Sequence, residues 1–281
     1  MSSKKRYRGR IAPTPSGYLH TGHAATFYCA WSRAEQAGGT LVYRNEDIDW
    51  QRCKEKYHRA ALEDLQWLGI TWGEGPDMGG PYAPYSQSEA RTYHLRAWEK
   101  LKQAGLIYPC RRTRKELREY YQTQPQIKTH QDEWIFPYEW RTESPSEAEA
   151  KDPGATNWRF RVPWGEEIRF EDLKEGNICY KAGEDFGDFL VWRKEDTPAY
   201  ELAVVVDDLR MQISEIVRGA DLLLSTARQI LIYRALQMPP PAFYHSPLLL
   251  DESGNKLAKS CESLSVRHLR KTGYTPEEVL Q

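Results

Sequence analysis

The sequence lacks the features that would mark a membrane protein, a secreted protein or a uniformly basic nucleic-acid coat. No apolar run approaches the ~20 residues that a membrane-spanning helix needs. The basic N-terminus, residues 1–6, is not followed by the apolar segment of a signal peptide. The 39 Lys and Arg residues balance 40 Asp and Glu residues, and a net charge of −1 still allows one basic face. We expect a cytoplasmic protein that makes no contact with a membrane.

The cysteines are few and widely scattered. The five cysteines are Cys29, Cys53, Cys110, Cys179 and Cys261. They are odd in number and form no Cys-x-x-Cys pair, which argues against a disulfide framework and against a zinc site built from four thiolates. A reducing compartment fits this pattern best.

The order of apolar and turn-forming segments predicts an α/β fold. Strand-like and helix-like segments alternate over residues 8–105 and again over 191–250, as in a doubly wound parallel sheet. Between them, residues 106–190 mix aromatic residues, prolines and charges, which indicates an inserted α+β subdomain. Residues 251–281 form a short C-terminal appendage.

Several elements follow from local patterns. We predict a helix over 23–37, a strand over Thr40–Arg44 and a strand over Glu215–Arg218. The apolar run Leu202–Val206 reads as a buried strand. Ser86–Glu89 has the sequence of a capping box that begins the third helix.

A turn that contains two histidines follows the first predicted strand. His20 and His23 flank Gly22 where this strand leads into a helix, and the N-terminus of a helix attracts phosphate. Two imidazoles at this point can stabilise charge that develops on a phosphoryl group. The alternative is two unrelated surface histidines in a Pro-rich loop. The sequence contains neither a P-loop motif nor a dinucleotide-binding glycine motif.

Two lysines near the C-terminus form a second candidate phosphate site. Lys256 and Lys259 lie three residues apart in a Gly-containing segment, where they can hold a triphosphate. Taken alone, this segment is more typical of a solvated basic loop. The histidine turn and the lysine segment fall at the ends of opposite halves of one predicted sheet, where open α/β sheets bind their ligands.

These motifs resemble the signature sequences of class I aminoacyl-tRNA synthetases. His20-Thr21-Gly22-His23 is similar to the HIGH motif, and Lys256–Ser260 is similar to the KMSKS loop. Further segments resemble the glutamate branch of the family, namely Arg10–Gly17, Arg44–Asp49, Ala199–Asp208 and Ile216–Leu223. The chain ends soon after Lys259, whereas a full glutamyl-tRNA synthetase continues into an anticodon-binding domain. Together with the sequences of 199–208 and 216–223, this resembles the glutamyl-Q tRNA(Asp) synthetase family, and we expect no anticodon-binding domain here.

The resemblance implies a class I, Rossmann-like catalytic domain and an activity. Enzymes of this family activate L-glutamate with ATP and transfer it to queuosine in the anticodon stem-loop of tRNA(Asp). By resemblance, the catalytic residues are His20, His23, Lys256 and Lys259. The ATP-binding residues are His20, Gly22, His23 and Lys259, and Mg²⁺ accompanies the triphosphate. The glutamate-binding residues are Arg10, Ile11, Ala12, Pro13, Thr14, Glu46, Tyr200 and Arg218.

The side chains support a glutamate site on physical grounds. Arg10 and Arg218 are permanent cations, and one of them can pair with the side-chain carboxylate of the substrate. Glu46 complements the α-ammonium group, and Tyr200 offers a hydroxyl. The alternative for Arg218 and Glu46 is a local ion pair at the strand ends. Glu201 stands where the family usually has Gln, and it adds a charge near the expected substrate position.

The insertion departs from the family at its zinc site. Family members commonly have Cys-x-Cys followed by Tyr-x3-Cys, but only Cys110 of the first pair is present, and Phe136 and Trp140 occupy the later positions. One thiol cannot form a tetrahedral zinc site, so we expect no zinc. Aromatic packing would hold the insertion instead, through Trp134, Phe136, Trp140 and Trp158.

Two basic clusters are candidate RNA contacts. The first comprises Arg111, Arg112, Arg114, Lys115 and Arg118, and the second comprises Arg267, His268, Arg270 and Lys271. The alternative for the first cluster is a solvated helix face.

We expect the protein to be a monomer.

Three other functions are compatible with the sequence. The first is a truncated glutamyl-tRNA synthetase that charges the 3′ end of tRNA(Glu). The second is a non-catalytic relative that binds tRNA, against which the intact histidines and lysines argue. The third is a small-molecule nucleotidyltransferase with the same histidine turn, which leaves the glutamate-side motifs unexplained.

Overall fold

The computed structural model describes residues 6–123, 134–141, 151–248 and 265–280. The helices in these ranges are α1 (Thr21–Gln36), α2 (Glu55–Trp67), α3 (Arg91–Gln103), α4 (Arg114–Gln122), α5 (Tyr200–Arg210), α6 (Leu223–Ala235), α7 (Val266–Lys271) and α8 (Pro276–Leu280). The strands are β1 (Arg8–Ile11), β2 (Thr40–Tyr43), β3 (Ile107–Cys110), β4 (Asn157–Phe160), β5 (Glu167–Asp172), β6 (Gly176–Lys181), β7 (Leu190–Arg193), β8 (Thr197–Pro198), β9 (Glu215–Gly219) and β10 (Ala242–Ser246). None of the helices in these ranges is long and apolar enough to cross a bilayer.

Two parallel strand pairs form the framework of the fold. β1 pairs with β2, and α1 connects them, while β9 pairs with β10 and α6 connects those two. The pairs lie side by side, because the N–H of Ser214 donates to the carbonyl of Arg8 at 2.9 Å. The carboxyl ends of β1 and β9 therefore face the same edge, next to the N-terminus of α1. This arrangement confirms the α/β fold class.

Residues 106–190 contribute strands to two different sheets. β3 and β4 form an antiparallel sheet with β7 and β8, in the order β3-β4-β7-β8. The antiparallel hairpin β5–β6 instead extends the parallel pair, in the order β6-β5-β10-β9. Part of the predicted insertion thus packs directly on the strands that carry the site. The boundaries 8–105, 106–190, 191–250 and 251–281 stay predictions.

Alanines and tryptophans explain how the layers pack. Ala24, Ala30 and Ala34 are the buried residues of α1, and their small side chains allow this helix to lie close to β1 and β9. Trp98 and Trp158 are buried in the core between α3 and the antiparallel sheet, with their rings perpendicular and 5.0 Å apart. Edge-to-face packing of this kind stabilises a core beyond the area that it buries.

The segment Leu202–Val206, predicted as a strand, is the middle of α5. All eight residues from Glu201 to Asp208 are buried, so the helix has no exposed face to give a 3.6-residue period. A short, continuous apolar run cannot be assigned to a strand or a buried helix by periodicity alone. That ambiguity is the physical reason for the wrong prediction.

The capping box predicted at Ser86–Glu89 is also wrong. Ser86 makes no side-chain capping bond, and a short 3₁₀ helix over Gln87–Ala90 precedes α3. Ser88 instead donates from its N–H and hydroxyl to Asp47, at 2.8 and 2.7 Å. The polar residues of this segment therefore make tertiary contacts and do not cap a helix.

Cys110 belongs to a small apolar cluster in the insertion. It is buried with Tyr108 and Phe136, and Leu117 and Trp140 pack against them. Trp158 lies in the main core, whereas Trp134 is 39% exposed and stacks on Tyr121. Aromatic packing thus surrounds the position of the first family zinc ligand, and the expected lack of zinc stays a prediction.

Candidate active site

A cavity of about 620 Å³ lies where β1, β9 and the N-terminus of α1 meet. Seven of the eight predicted glutamate-binding residues line it, together with His20, Gly22 and His23. Ile11 does not, because its side chain is fully buried in the core. The full lining is Arg10, Ala12, Pro13, Thr14, His20, Gly22, His23, Thr26, Phe27, Glu46, Tyr200, Val217, Arg218, Gly219, Asp221, Leu222, Pro247 and Leu248.

Backbone hydrogen bonds hold the Pro-rich turn against the segment that carries Glu46. The N–H of Arg44 donates to the carbonyl of Ile11 at 2.9 Å, and the N–H of Glu46 donates to the carbonyl of Pro13 at 3.1 Å. Proline has no N–H to offer a neighbouring strand, so the turn is held through its carbonyls. Glu46 is consequently fixed on one wall of the cavity.

The two histidines cap the N-terminus of α1. His20 Nδ1 accepts the N–H of Gly22 at 3.1 Å, and His23 Nδ1 accepts the N–H of His20 at 3.3 Å. The ring centroids are 3.7 Å apart. Because both Nδ1 atoms are acceptors, each neutral imidazole carries its proton on Nε2. Two N–H donors at the positive end of a helix suit phosphoryl oxygens.

Gly22 leaves room for the His20 ring. A Cβ at this position would lie 3.0 Å from Cε1 and 3.1 Å from Nδ1 of His20. These distances are shorter than ordinary carbon contacts, so any larger residue would displace the imidazole. The glycine of the motif thus permits the ring to fold back onto the helix end.

Two buried guanidinium groups line the cavity and have unsatisfied N–H groups. Arg10 is 5% exposed, and Arg218 is 4% exposed. Arg218 Nη1 and Arg10 Nε have no hydrogen-bond partner among the described residues. Arg10 Nε lies 3.5 Å from Asp208, but none of the described carboxylates is within ion-pair distance of Arg218. A buried cation of this kind is costly unless an anion pairs with it.

Arg44 holds the carboxylate of Glu46. Arg44 Nη2 donates to Glu46 Oε1 at 2.9 Å, and Nη1 donates to Asp208 Oδ1 at 2.6 Å. Burial raises the pKa of Glu46, while Arg44 opposes that rise. Glu46 Oε2 accepts no hydrogen bond from the described residues, which leaves it to accept an ammonium group.

Glu201 does not line the cavity, although it follows Tyr200. Its Oε1 accepts the Ser225 hydroxyl, and its Oε2 accepts the Gln229 amide, each at 2.9 Å. The Glu201 carboxylate, which we expected near the substrate, instead joins α5 to α6.

Several lining residues were missed by the sequence analysis, including Thr26, Phe27 and Asp221. Thr26 and Phe27 follow His23 at one-turn spacing on α1, which is a signal that could have found them. Asp221 comes two residues after Gly219, where a Cβ would lie 2.6 Å from its Oδ1. The lack of a side chain at Gly219 therefore allows the Asp221 carboxylate to lie close to the backbone at the cavity.

Lys256 and Lys259 lie outside the described residues. The chain on either side of them is at the cavity: Leu248 lines it, and Ser265 forms a β-bridge with His20. The N–H of Val266 also donates to the carbonyl of Leu19 at 2.8 Å. Leu248 thus lies at the cavity, and Ser265 and Val266 lie beside the histidine turn.

The two basic clusters have different surroundings. Arg111, Arg112 and Arg114 line a groove of about 610 Å³ together with Arg193 and with Trp50, which is 68% exposed. In the C-terminal cluster, Arg267 contacts Glu63 and lies 3.5 Å from Asp64. Arg267 therefore joins α7 to α2, while Arg112 in the insertion cluster pairs with Glu116 at 3.0 Å.

The comparisons with known proteins agree with the geometry. The family model for the catalytic domain of class I tRNA synthetases (E and Q) matches residues 6–281. The Glutamyl-Q tRNA(Asp) synthetase of Symbiobacterium thermophilum is 43% identical over 97% of this chain and 84% of its own length. The protein of the same name from Nitratidesulfovibrio vulgaris is 41% identical over 95% of this chain and 82% of its length.

Longer relatives match this chain over little more than half of their own length. Glutamate–tRNA ligase 2 of Syntrophus aciditrophicus is 39% identical over 97% of this chain but only 56% of its own length. The glutamate-tRNA synthetase structure from Elizabethkingia anophelis superimposes with a TM-score of 0.80 at 30% identity, over 96% of this chain and 54% of that one. The chain thus spans about half the length of these ligases.

Proposed function

The chain belongs to the family of class I glutamyl- and glutaminyl-tRNA synthetase catalytic domains, and we propose that it activates glutamate with ATP and transfers it to queuosine in the wobble position of tRNA(Asp). The observation that carries the glutamate assignment is the pair of buried guanidinium groups with unsatisfied N–H groups in one cavity with Glu46. The two relatives named for the queuosine reaction, matched over most of their length, support the acceptor. Since tRNA is the acceptor, we place the reaction in the cytoplasm.

Glutamate binds through opposite charges at its two ends. Arg218 pairs with the side-chain carboxylate, and Arg10 adds a second cation to the same wall of the cavity. Glu46 Oε2 accepts the α-ammonium group, and the Tyr200 hydroxyl adds a hydrogen bond. Ala12, Pro13 and Thr14 contribute the surface of the turn on which the substrate backbone lies.

Activation is an in-line displacement at the α-phosphorus of ATP. An oxygen of the α-carboxylate forms the new P–O bond as the bond to pyrophosphate breaks, which gives glutamyl-adenylate. His20 and His23 donate from Nε2 to the phosphoryl oxygens as negative charge grows on them. Lys256 and Lys259 neutralise the departing pyrophosphate.

Magnesium fits this site as part of the MgATP substrate. None of the described residues form a group of three or more side chains that could hold a metal, although Asp221 is a carboxylate of the cavity wall. Mg²⁺ usually retains several waters and binds phosphate oxygens with one or two carboxylates. When bound, it would neutralise charge on the triphosphate.

Transfer requires a single nucleophilic substitution. A hydroxyl of queuosine attacks the carbonyl carbon of the mixed anhydride and forms the ester. The bond to AMP breaks, and the hydroxyl proton passes to the departing phosphate. The groove lined by Arg111, Arg112, Arg114 and Arg193 supplies cations for the RNA phosphates, and Trp50 supplies a ring on which an unpaired base can stack.

Glutamate-dependent ATP–pyrophosphate exchange tests the activation step. We expect exchange in the unsubstituted chain and a decrease of about a hundredfold in Lys259→Ala, the scale expected for one preorganised charge contact. Lys100→Ala, an exposed lysine on α3, is the matched control and should retain the full rate. An unchanged rate in Lys259→Ala, or a chain without exchange, would contradict the proposal.

Charging of the 3′ end of tRNA(Glu) is the second candidate. It is favoured by the 39% identity to a glutamate–tRNA ligase, whereas the two relatives named Glutamyl-Q tRNA(Asp) synthetase are 43% and 41% identical. A tRNA without queuosine separates the two functions, because it can accept glutamate only at its 3′ end.

A further inference from the structure

Among the described residues, the hydrogen-bond partners of the Arg218 guanidinium are two neutral side chains. Its Nε donates to His245 Nε2 at 3.2 Å, and its Nη2 donates to Thr226 Oγ1 at 2.6 Å. By contrast, Arg44 is paired with Glu46 and Asp208. Within the part of the chain that the structure describes, no carboxylate therefore lies at ion-pair distance to compensate the positive charge of Arg218.

The strand register sets the contact between His245 and Arg218. The two residues are direct Cα partners in the parallel ladder of β9 and β10, and His245 is fully buried. On the other side of the ring, His245 Nδ1 lies 2.6 Å from Asp172 Oδ2. Asp172 is itself fixed, because its Oδ1 accepts the N–H groups of Lys174 and Glu175 at 3.0 and 2.9 Å.

The protonation of His245 follows from its two neighbours. A guanidinium has N–H donors and no acceptor, so Nε2 must accept the hydrogen bond from Arg218 and carries no proton. The carboxylate of Asp172 is an acceptor, so Nδ1 carries the proton. The imidazole is thus the neutral Nδ1–H tautomer. The lowered pKa of His245, about 4, agrees with this arrangement and results from burial and from the charge of Arg218.

We propose that His245, with Asp172 and Thr226, is a positioning residue for Arg218 that orients the guanidinium without neutralising it. The full charge is then left for the side-chain carboxylate of the substrate, and a carboxamide is disfavoured because it cannot neutralise that charge. This proposal rests on the proposed glutamate activation. It goes further by assigning the choice of glutamate over glutamine to a residue that does not line the cavity.

Removal of the imidazole should affect glutamate more than ATP. In His245→Leu, we expect the KM for glutamate in pyrophosphate exchange to rise about 10- to 100-fold, the scale of one hydrogen bond to a charged group. The KM for ATP should change by less than about threefold, because the substitution leaves the histidine turn unchanged. The preference for glutamate over glutamine should fall together with the affinity for glutamate. His245→Gln, whose amide oxygen can accept from Arg218, should recover most of the loss.

Two further variants separate positioning from a general loss of structure. Thr226→Val removes the acceptor of Arg218 Nη2 with little change of shape, and it should raise the KM for glutamate in the same selective way. His94→Leu is the matched control, because His94 is a fully buried histidine 3.3 Å from a carboxylate, Asp207, and does not line the cavity. It should lower thermal stability and leave the ratio of the two KM values unchanged.

Nitrogen-15 NMR of the histidine ring gives a readout that does not depend on activity. At pH 7, His245 should show a protonated Nδ1 and an unprotonated Nε2. The Nε2–H tautomer, or equal changes of both KM values in His245→Leu and Thr226→Val, would overturn the positioning role. A complete absence of exchange in the unsubstituted chain would instead overturn the proposed function. The tautomer observed by NMR would still show whether His245 Nε2 accepts the hydrogen bond from Arg218.

Discussion

Arg44 donates to Asp208 at 2.6 Å across 164 residues of sequence, and both side chains are excluded from solvent. The same carboxylate lies 3.5 Å from Arg10 Nε. Asp208 on α5 therefore ties together the strand that carries Arg10 and the segment that carries Glu46. One buried ionic network fixes both the cationic and the anionic walls of the candidate glutamate site.

Loss of Arg44 should destabilise the fold strongly. In Arg44→Met, Asp208 and Glu46 would remain buried without their shared cation, and breaking a buried pair from one side costs about 3–5 kcal/mol. We expect the free energy of unfolding in urea to fall by that amount. Arg52→Met is the matched control, because Arg52 is 71% exposed in its pair with Asp49, and it should change stability by less than about 1 kcal/mol. Equal effects of the two substitutions would contradict the role of the network.

The histidine turn should be sensitive to a single added methyl group. In Gly22→Ala, the new Cβ would displace the His20 ring, and the rate of pyrophosphate exchange should fall about 10- to 100-fold, as expected for a misplaced catalytic group. The fold should stay intact, because alanine favours a helix. Gly17→Ala is the control, since a Cβ there meets no atom within 4 Å. An exchange rate that is equal in both variants would argue against a role for the His20 position.

The contact between α2 and α7 should depend on pH. Burial raises the pKa of Asp64 to about 6, while Arg267, 3.5 Å away, and Arg270 oppose the rise, and Glu63 adds to it. Because the pKa in the folded chain is above that in the unfolded chain, this group stabilises the fold at about pH 4 and loses its contribution as the pH rises through 6.

Asp64→Asn removes that titration and leaves the other ionisable groups in place. The stability of the variant relative to the unsubstituted chain should therefore rise between pH 4 and pH 7, measured by urea unfolding at both values. A difference between the two proteins that is the same at both pH values would contradict the raised pKa.

The insertion should hold together without a metal. Cys110 packs with Tyr108 and Phe136, and the later family positions lack cysteine, so a tetrahedral site has too few ligands. Elemental analysis of the purified protein should show no stoichiometric zinc, and thermal stability should not change with a chelator. One equivalent of zinc per chain would refute this prediction.

The sequence predicts the part of the site that is local in the chain. A strand, a Gly-containing turn and a helix over residues 8–37 bring His20 and His23 to a helix N-terminus, and strand ends place Glu46 and Arg218 beside them. The residues that position these side chains cannot be identified from the neighbouring sequence. His245 meets Arg218 through strand register, and Arg44 meets Asp208 across the fold. The helix α5 is apolar around much of its circumference, so its sequence does not show the 3.6-residue alternation of apolar and polar residues that identifies a helix.

Transfer of labelled glutamate to tRNA(Asp) with and without queuosine tests the central claim most directly. We expect label on the queuosine-containing tRNA, also after removal of its 3′-terminal adenosine, and none on the tRNA that lacks queuosine. Incorporation that needs the 3′ adenosine and occurs equally without queuosine would contradict the account and identify charging of a 3′ end.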